Sequence, residues 1–105
     1  MPHSNSMYKR LIVGLGETGL SCARYFTRLK LPFTCLDSRL NPPKLAEFQK
    51  EFPHTTYHLG SFDPNHFQDC KQLIVSPGVD LNEENLNTAI EQYKLKPIGD
   101  IELFA

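Results

Sequence analysis

The sequence predicts one α/β domain built on a doubly wound parallel sheet, and three observations carry that prediction. Short apolar, β-rich runs alternate with segments of helical period along the whole chain. The first run ends in a turn that holds three glycines in six residues and passes straight into a helical pattern. The alternation has no repeat or low-complexity stretch to break it. With 105 residues, 40% apolar and 22% charged, the chain suits a single globular core.

RLIVGL, residues 10–15, is an apolar run and reads as a strand buried on both faces. From Gly19 the period changes: Gly19, Cys22, Ala23, Phe26 and Leu29 recur at helical spacing until Pro32. FTCLD, residues 33–37, is the second strand. After the loop SRLNPP, Asn41 before two prolines predicts a helix start, with Leu45, Phe48 and Phe52 as its apolar stripe. TTYHL, residues 55–59, is the third strand, and Asp63-Pro64 caps a short helical turn reaching Phe67. QLIVS, residues 72–76, is the fourth strand and stops at Pro77-Gly78. Asn82 with Glu83 and Glu84 opens a helix whose core stripe is Leu86, Ala89, Ile90 and Tyr93. KPIG, residues 96–99, is a short fifth strand, and Asp100 caps a helix beginning IELFA. Right-handed crossovers then give a strand order of 3-2-1-4-5.

Composition excludes several function classes. A net charge of −1 offers no basic surface, so no nucleic-acid partner is expected. No apolar run approaches a membrane span, and residues 1–7 read as a flexible leader rather than a signal peptide. Cys22, Cys35 and Cys70 show no paired spacing; the first two read as small core residues in a cytoplasmic protein. His54 and His58 lie on an extended segment, and His66 with Cys70 supplies only two ligands, so no metal site is expected. Glu47, Glu51, Glu83, Glu84 and Glu91 fall on outer helix faces, Glu102 reads as structural, and no catalytic residue is expected.

The candidate site is the glycine turn. Gly14, Gly16 and Gly19 fit G-x-G-x-x-G after a strand and at the mouth of a helix. The first glycine makes the turn, the second admits phosphates to the backbone, and the third packs helix on strand. The helix end itself favours an anion. Asp37, eighteen residues after Gly19 at the end of the second strand, suits a ribose or base edge. Thr18 reads as a phosphate contact or a helix cap, Arg39 as an anion or base contact or a solvated cation. Ser76 to Gly78 is a simple turn or the far wall of one crevice shared with the glycine turn and Asp37. These residues alone leave open an NAD-binding domain of a dehydrogenase or regulatory protein, another nucleotide-binding domain, and an α/β interaction domain without ligand.

Four segments together are more specific. GLGETGLSCARYF, LDSRLNPP, LIVSPGV and IGDIELF, in this order and spacing, resemble the Mur ligase family. Within it, they resemble the N-terminal domain of the UDP-N-acetylmuramoyl-L-alanine–D-glutamate ligases. The resemblance implies a Rossmann-like five-stranded domain over residues 8–105, the first of three in an ATP-dependent ligase of peptidoglycan synthesis. It implies that the domain binds the UDP end of UDP-N-acetylmuramoyl-L-alanine rather than NAD. Leu15, Glu17 and Thr18 would lie against the nucleotide, Glu17 standing where the family often has an apolar residue. A carboxylate there would repel a diphosphate, so Glu17 is expected to point outward. Asp37 would pair with the uracil edge, Ser38 (commonly threonine) and Arg39 would flank the ring, and Ser76 and Gly78 would line the diphosphate. ATP, Mg²⁺ and D-glutamate would belong to the remaining domains of the parent. No G-x-x-x-x-G-K-[ST] loop occurs in the 105 residues, so this chain is expected to need no cofactor and to be non-catalytic alone.

Overall fold

In the computed structural model, residues 9–98 are described. Strands β1 (Lys9–Val13), β2 (Thr34–Asp37), β3 (Tyr57–Leu59), β4 (Cys70–Val75) and β5 (Pro97–Ile98) form one parallel sheet in the order β3-β2-β1-β4-β5. Helices α1 (Glu17–Arg28), α2 (Leu45–Glu51) and α3 (Glu84–Gln92) and a 3₁₀ turn (Pro64–Phe67) make the crossovers. The strand order is the expected 3-2-1-4-5.

Alternation along the central strands separates two cores. Ile12, Cys35 and Ile74 point to one face, where Leu20, Cys22, Ala23 and Phe26 of α1 meet Phe48 of α2 and Phe52 just after it. Leu11, Val13, Leu36, Leu73 and Val75 point to the other, against Phe62, Phe67, Leu86 and Ala89. Ile90 and Tyr93 complete the α3 stripe as partly buried neighbours. The chain winds outward from β1 to β3 with helices on the first face. It then crosses back and winds out to β5 with helices on the second, as right-handed crossovers require.

Strand ends shift by a few residues from the sequence reading, β4 beginning at Cys70, and the helix ends differ as well. Helix α1 begins at Glu17, and it ends before Pro32 because Lys30 turns left-handed at φ 60° while the Leu31 N–H bonds the Phe26 carbonyl at 2.9 Å. Asn41 does not start α2: Pro42 accepts from the Leu45 N–H at 3.1 Å in a turn, and the helix begins one residue after Lys44. Asn82 does not cap α3 either. Glu83 does, its carboxylate accepting from the Asn85 N–H at 2.8 Å. Asp63 caps the 3₁₀ turn as expected, accepting from the Asn65 N–H at 3.0 Å. The Asp100 cap and the helix after it lie outside the described residues.

Candidate functional site

The carboxyl ends of β1, β2 and β4 finish level with one another. The Gly14 N–H bonds the Leu36 carbonyl at 2.7 Å, and the Ser76 N–H bonds the Val13 carbonyl at 3.0 Å. Beyond these ends the chain must turn away sharply. Gly14 does so at φ +108°, a region costly for any side chain. A Cβ at Gly19 would collide with the Gly14 carbonyl oxygen, so helix and turn are in direct backbone contact there. Gly16 is different: a Cβ there would meet nothing within 4 Å, so its face is open.

Asp37 fastens this turn to β2. Its Oδ2 accepts from the Leu15 N–H at 2.7 Å and from the Arg39 guanidinium at 2.7 Å. Its Oδ1 accepts from the Arg39 N–H at 2.8 Å and from Arg39 Nε at 2.9 Å. A carboxylate has about four acceptor positions, and all are occupied. Burial, at 3% exposure, opposes the charge. The Arg39 side chain, the two backbone N–H groups and the positive charge of Arg39 outweigh it and hold the Asp37 carboxyl below the usual carboxylate range.

Between the three loops lies a crevice of about 550 Å³, within the range of small-molecule sites at about 300–1,000 Å³. Of the residues singled out from sequence, Gly14, Gly16, Glu17, Thr18, Asp37, Ser38, Arg39, Ser76 and Gly78 line it. Two stand apart. The Leu15 side chain is fully buried in the α1–α2 core, and its N–H and carbonyl are used by Asp37 and by the Lys44 N–H at 3.3 Å. Gly19 is buried behind the turn. Thr18 is not the helix cap: Gly16 holds that position without a side-chain bond, and Thr18 lies within the first turn of α1. The first N–H groups of any helix lack intrahelical partners; those of α1 open at this crevice. Glu17 has 79% of its side chain exposed and stands 3.8 Å from Lys44 Nζ.

Sequence reasoning did not single out Pro43, Phe62, Val79 and Asp80 as lining residues, and it placed Glu83 on a solvated helix face. Asp80 and Glu83 had a readable signal. They follow Gly78 within five residues, in the loop after the strand that flanks the point where strand order reverses.

A larger, more open hollow of about 890 Å³ lies at the opposite edge, beside Arg10, Pro32, Phe33, Thr34 and Thr56. Thr27 and Lys30 place the carboxyl end of α1 there, where the helix dipole is negative. Among the described residues, Lys9, Arg10 and Lys30 line this hollow against one acid, Asp69, so side-chain charge and helix dipole oppose each other there. His58 and His66 stack with ring centroids 4.0 Å apart, a pairing that spacing alone did not suggest because β3 and the 3₁₀ turn bring it about. Burial first, then the charges of His66 and Lys9, lower the His58 pKa. Among the described residues no group of three or more His, Cys, Asp or Glu is gathered around a metal position, and no helix is long and apolar enough to cross a membrane.

Sheet order, crossovers and crevice together define a Rossmann-like α/β domain with a crevice at the topological switch point. A family described as "Mur ligase MurD-like, N-terminal domain" matches residues 8–95, and the chain belongs to it. It is 42% identical over 95 residues to the UDP-N-acetylmuramoylalanine–D-glutamate ligase of Coxiella burnetii, covering 90% of this chain and 21% of that protein. The ligase of the same name from Pseudomonas aeruginosa is 38% identical over 96 residues, covering 91% of this chain and 21% of that protein. The one from Marinobacter nauticus is 41% identical over 98 residues, covering 92% and 22%. The chain thus spans about a fifth of the length of these relatives.

Proposed function

We propose that the crevice seats the uridine diphosphate end of UDP-N-acetylmuramoyl-L-alanine, anchoring it for an ATP-dependent ligase that adds D-glutamate in cytoplasmic peptidoglycan synthesis. The observation that carries this reading is the convergence of three loops on the amino end of α1 with Gly16 open before it. In this reading the diphosphate passes Gly16, approaching the free N–H groups and the Thr18 hydroxyl on one side and Ser76 and Gly78 on the other. The base lies against Ser38 and Arg39. A ring N–H takes an acceptor position on Asp37 when the Arg39 side chain turns aside, which frees the guanidinium for the ring. The names of the relatives support a uridine nucleotide over NAD, since they act on a UDP-linked substrate.

The chain has no glycine-rich GK[ST] loop, which supports placing the ATP site outside these residues. No phosphoryl-transfer step is assigned here; the contribution of this chain is binding and orientation. The purified chain is expected to form no amide from UDP-N-acetylmuramoyl-L-alanine, D-glutamate and ATP, and ATP-dependent product would contradict that.

Calorimetric titration with UDP, uridine and NAD tests the proposal. UDP is expected to saturate and to bind more tightly than uridine, with no response to NAD. Gly16→Ala should leave the melting temperature near wild type, because its Cβ meets no atom of the chain, and should weaken UDP by about ten-fold. Saturable NAD binding without a response to UDP contradicts the proposal.

A further inference from the structure

Among the described residues, the charged ones lining the crevice are Glu17, Asp37, Arg39, Asp80 and Glu83, four acids against one base. Such a lining opposes a diphosphate unless its acids are answered. Three of them are. Asp37 is neutralised by Arg39. Glu83 caps α3 through the Asn85 N–H, and Asp80 accepts from the Asn82 N–H at 2.9 Å. Glu17 remains, in the first turn of the helix whose amino end faces the crevice. Its partner is Lys44, which is not itself a lining residue.

Lys44 is fixed beside the glycine turn by its backbone. Its N–H donates to the Leu15 carbonyl at 3.3 Å, and its carbonyl accepts from the Phe48 N–H at 2.9 Å. Its ammonium lies 3.1 Å from Glu47 Oε1 and 3.8 Å from Glu17 Oε1, with 29% of the side chain exposed. One cation thus stands between two carboxylates just outside the phosphate end of the crevice.

We infer that Lys44 is a positioning residue for anion binding: it draws the Glu17 carboxylate to the outer flank of α1 and offsets its charge, leaving the helix amino end available to a diphosphate. This deepens the uridine-diphosphate reading and rests on it. Without Lys44 the Glu17 carboxylate is free to swing across the amino end of α1, where it competes with the ligand for the same N–H groups. The penalty is electrostatic, so it acts on phosphates and not on the nucleoside, and it shrinks as salt rises.

A double-mutant cycle tests it, with UDP and uridine titrated into wild type, Lys44→Ala, Glu17→Gln and the double variant at low and high salt, each checked for folding by thermal melt. Lys44→Ala is expected to weaken UDP by about three- to ten-fold at low salt and to leave uridine within about two-fold. Lys44→Arg should bind as wild type does. Glu17→Gln alone should bind UDP at least as tightly as wild type, and in its background Lys44→Ala should cost less than about two-fold. Wild-type binding of UDP with no loss in Lys44→Ala, or with an undiminished loss in the Glu17→Gln background, overturns the role of Lys44 while leaving the ligand assignment standing. Absence of any wild-type response to UDP overturns both.

Discussion

At the residue scale the decisive group is Asp37. Its position at the end of an apolar strand marks it as a ligand residue in the sequence, yet in the structure its four acceptor positions hold the Leu15 N–H and Arg39. The same carboxylate shapes the turn, and in the proposed reading it offers a seat that Arg39 vacates. Because its folded pKa is depressed, its contribution to stability is present above the unfolded value of about 3.9 and is lost as pH falls through the lower folded value. Asp37→Asn keeps the volume but loses the charge and places an amide against N–H donors, at a cost of about 1.5–3 kcal/mol at pH 7. Urea denaturation at pH 7 and pH 3 checks this: the gap between wild type and variant should narrow at the lower pH, and a pH-independent gap contradicts it. Gly19→Ala forces a Cβ onto the Gly14 carbonyl oxygen and should cost about 3 kcal/mol or more by the same measurement, in contrast to Gly16→Ala.

At the element scale, helix lengths follow local chemistry that pattern reading resolves only in part. Apolar patterning located the central strands and the three helices, because burial on two sheet faces demands it: Ile12 against Leu11 and Val13, Ile74 against Leu73 and Val75. The ends were harder. Lys30 in a left-handed position stops α1, and a proline turn delays α2; neither carries a glycine or a capping side chain to announce it. Asn82 is the stronger cap by residue type, but its N–H is held by the Asp80 carboxylate at 2.9 Å in a turn before the helix, and Glu83 takes the cap. The Glu83 Oε2 atom is buried without a hydrogen bond, so the cap is imperfect. Glu83→Ala should cost about 0.5–1 kcal/mol, while Glu83→Ser, which keeps a capping oxygen and removes the unpartnered one, should be no less stable than wild type. Equal stability of the alanine variant would contradict the capping role. On the other face Phe48 is fully buried and meets Phe52 and Tyr57 at centroid distances of 5.3 and 5.6 Å. Phe48→Ala should cost about 3–5 kcal/mol in urea denaturation.

At the scale of the whole molecule, the sheet order places the site. Strand order reverses between β1 and β4, so the loops leaving those strands diverge to opposite faces and open a crevice, with the loop of β2 as its third wall. This much was legible in sequence, since the alternation dictates the topology and the topology dictates the edge at which loops converge. Which atoms face the crevice was less legible. The Leu15 side chain joins Ile12 in the α1–α2 core, on the face opposite Leu11 and Val13, because the left-handed turn at Gly14 breaks the alternation of β1, and Lys44 is drawn to the glycine turn by a backbone bond no pattern records. The family relationship supports the proposed ligand class, and the crevice is where that proposal seats it.

The central claim is that this crevice, and no other part of the chain, receives the UDP group. Amide chemical-shift mapping of the isotope-labelled chain during a UDP titration tests it most directly. Shifts concentrated at Gly16–Thr18, Ser38–Arg39 and Ser76–Gly78, with the hollow around Phe33 and Thr56 unmoved, are the predicted result. Shifts centred on that opposite edge, or no saturable shift at all, would contradict the account.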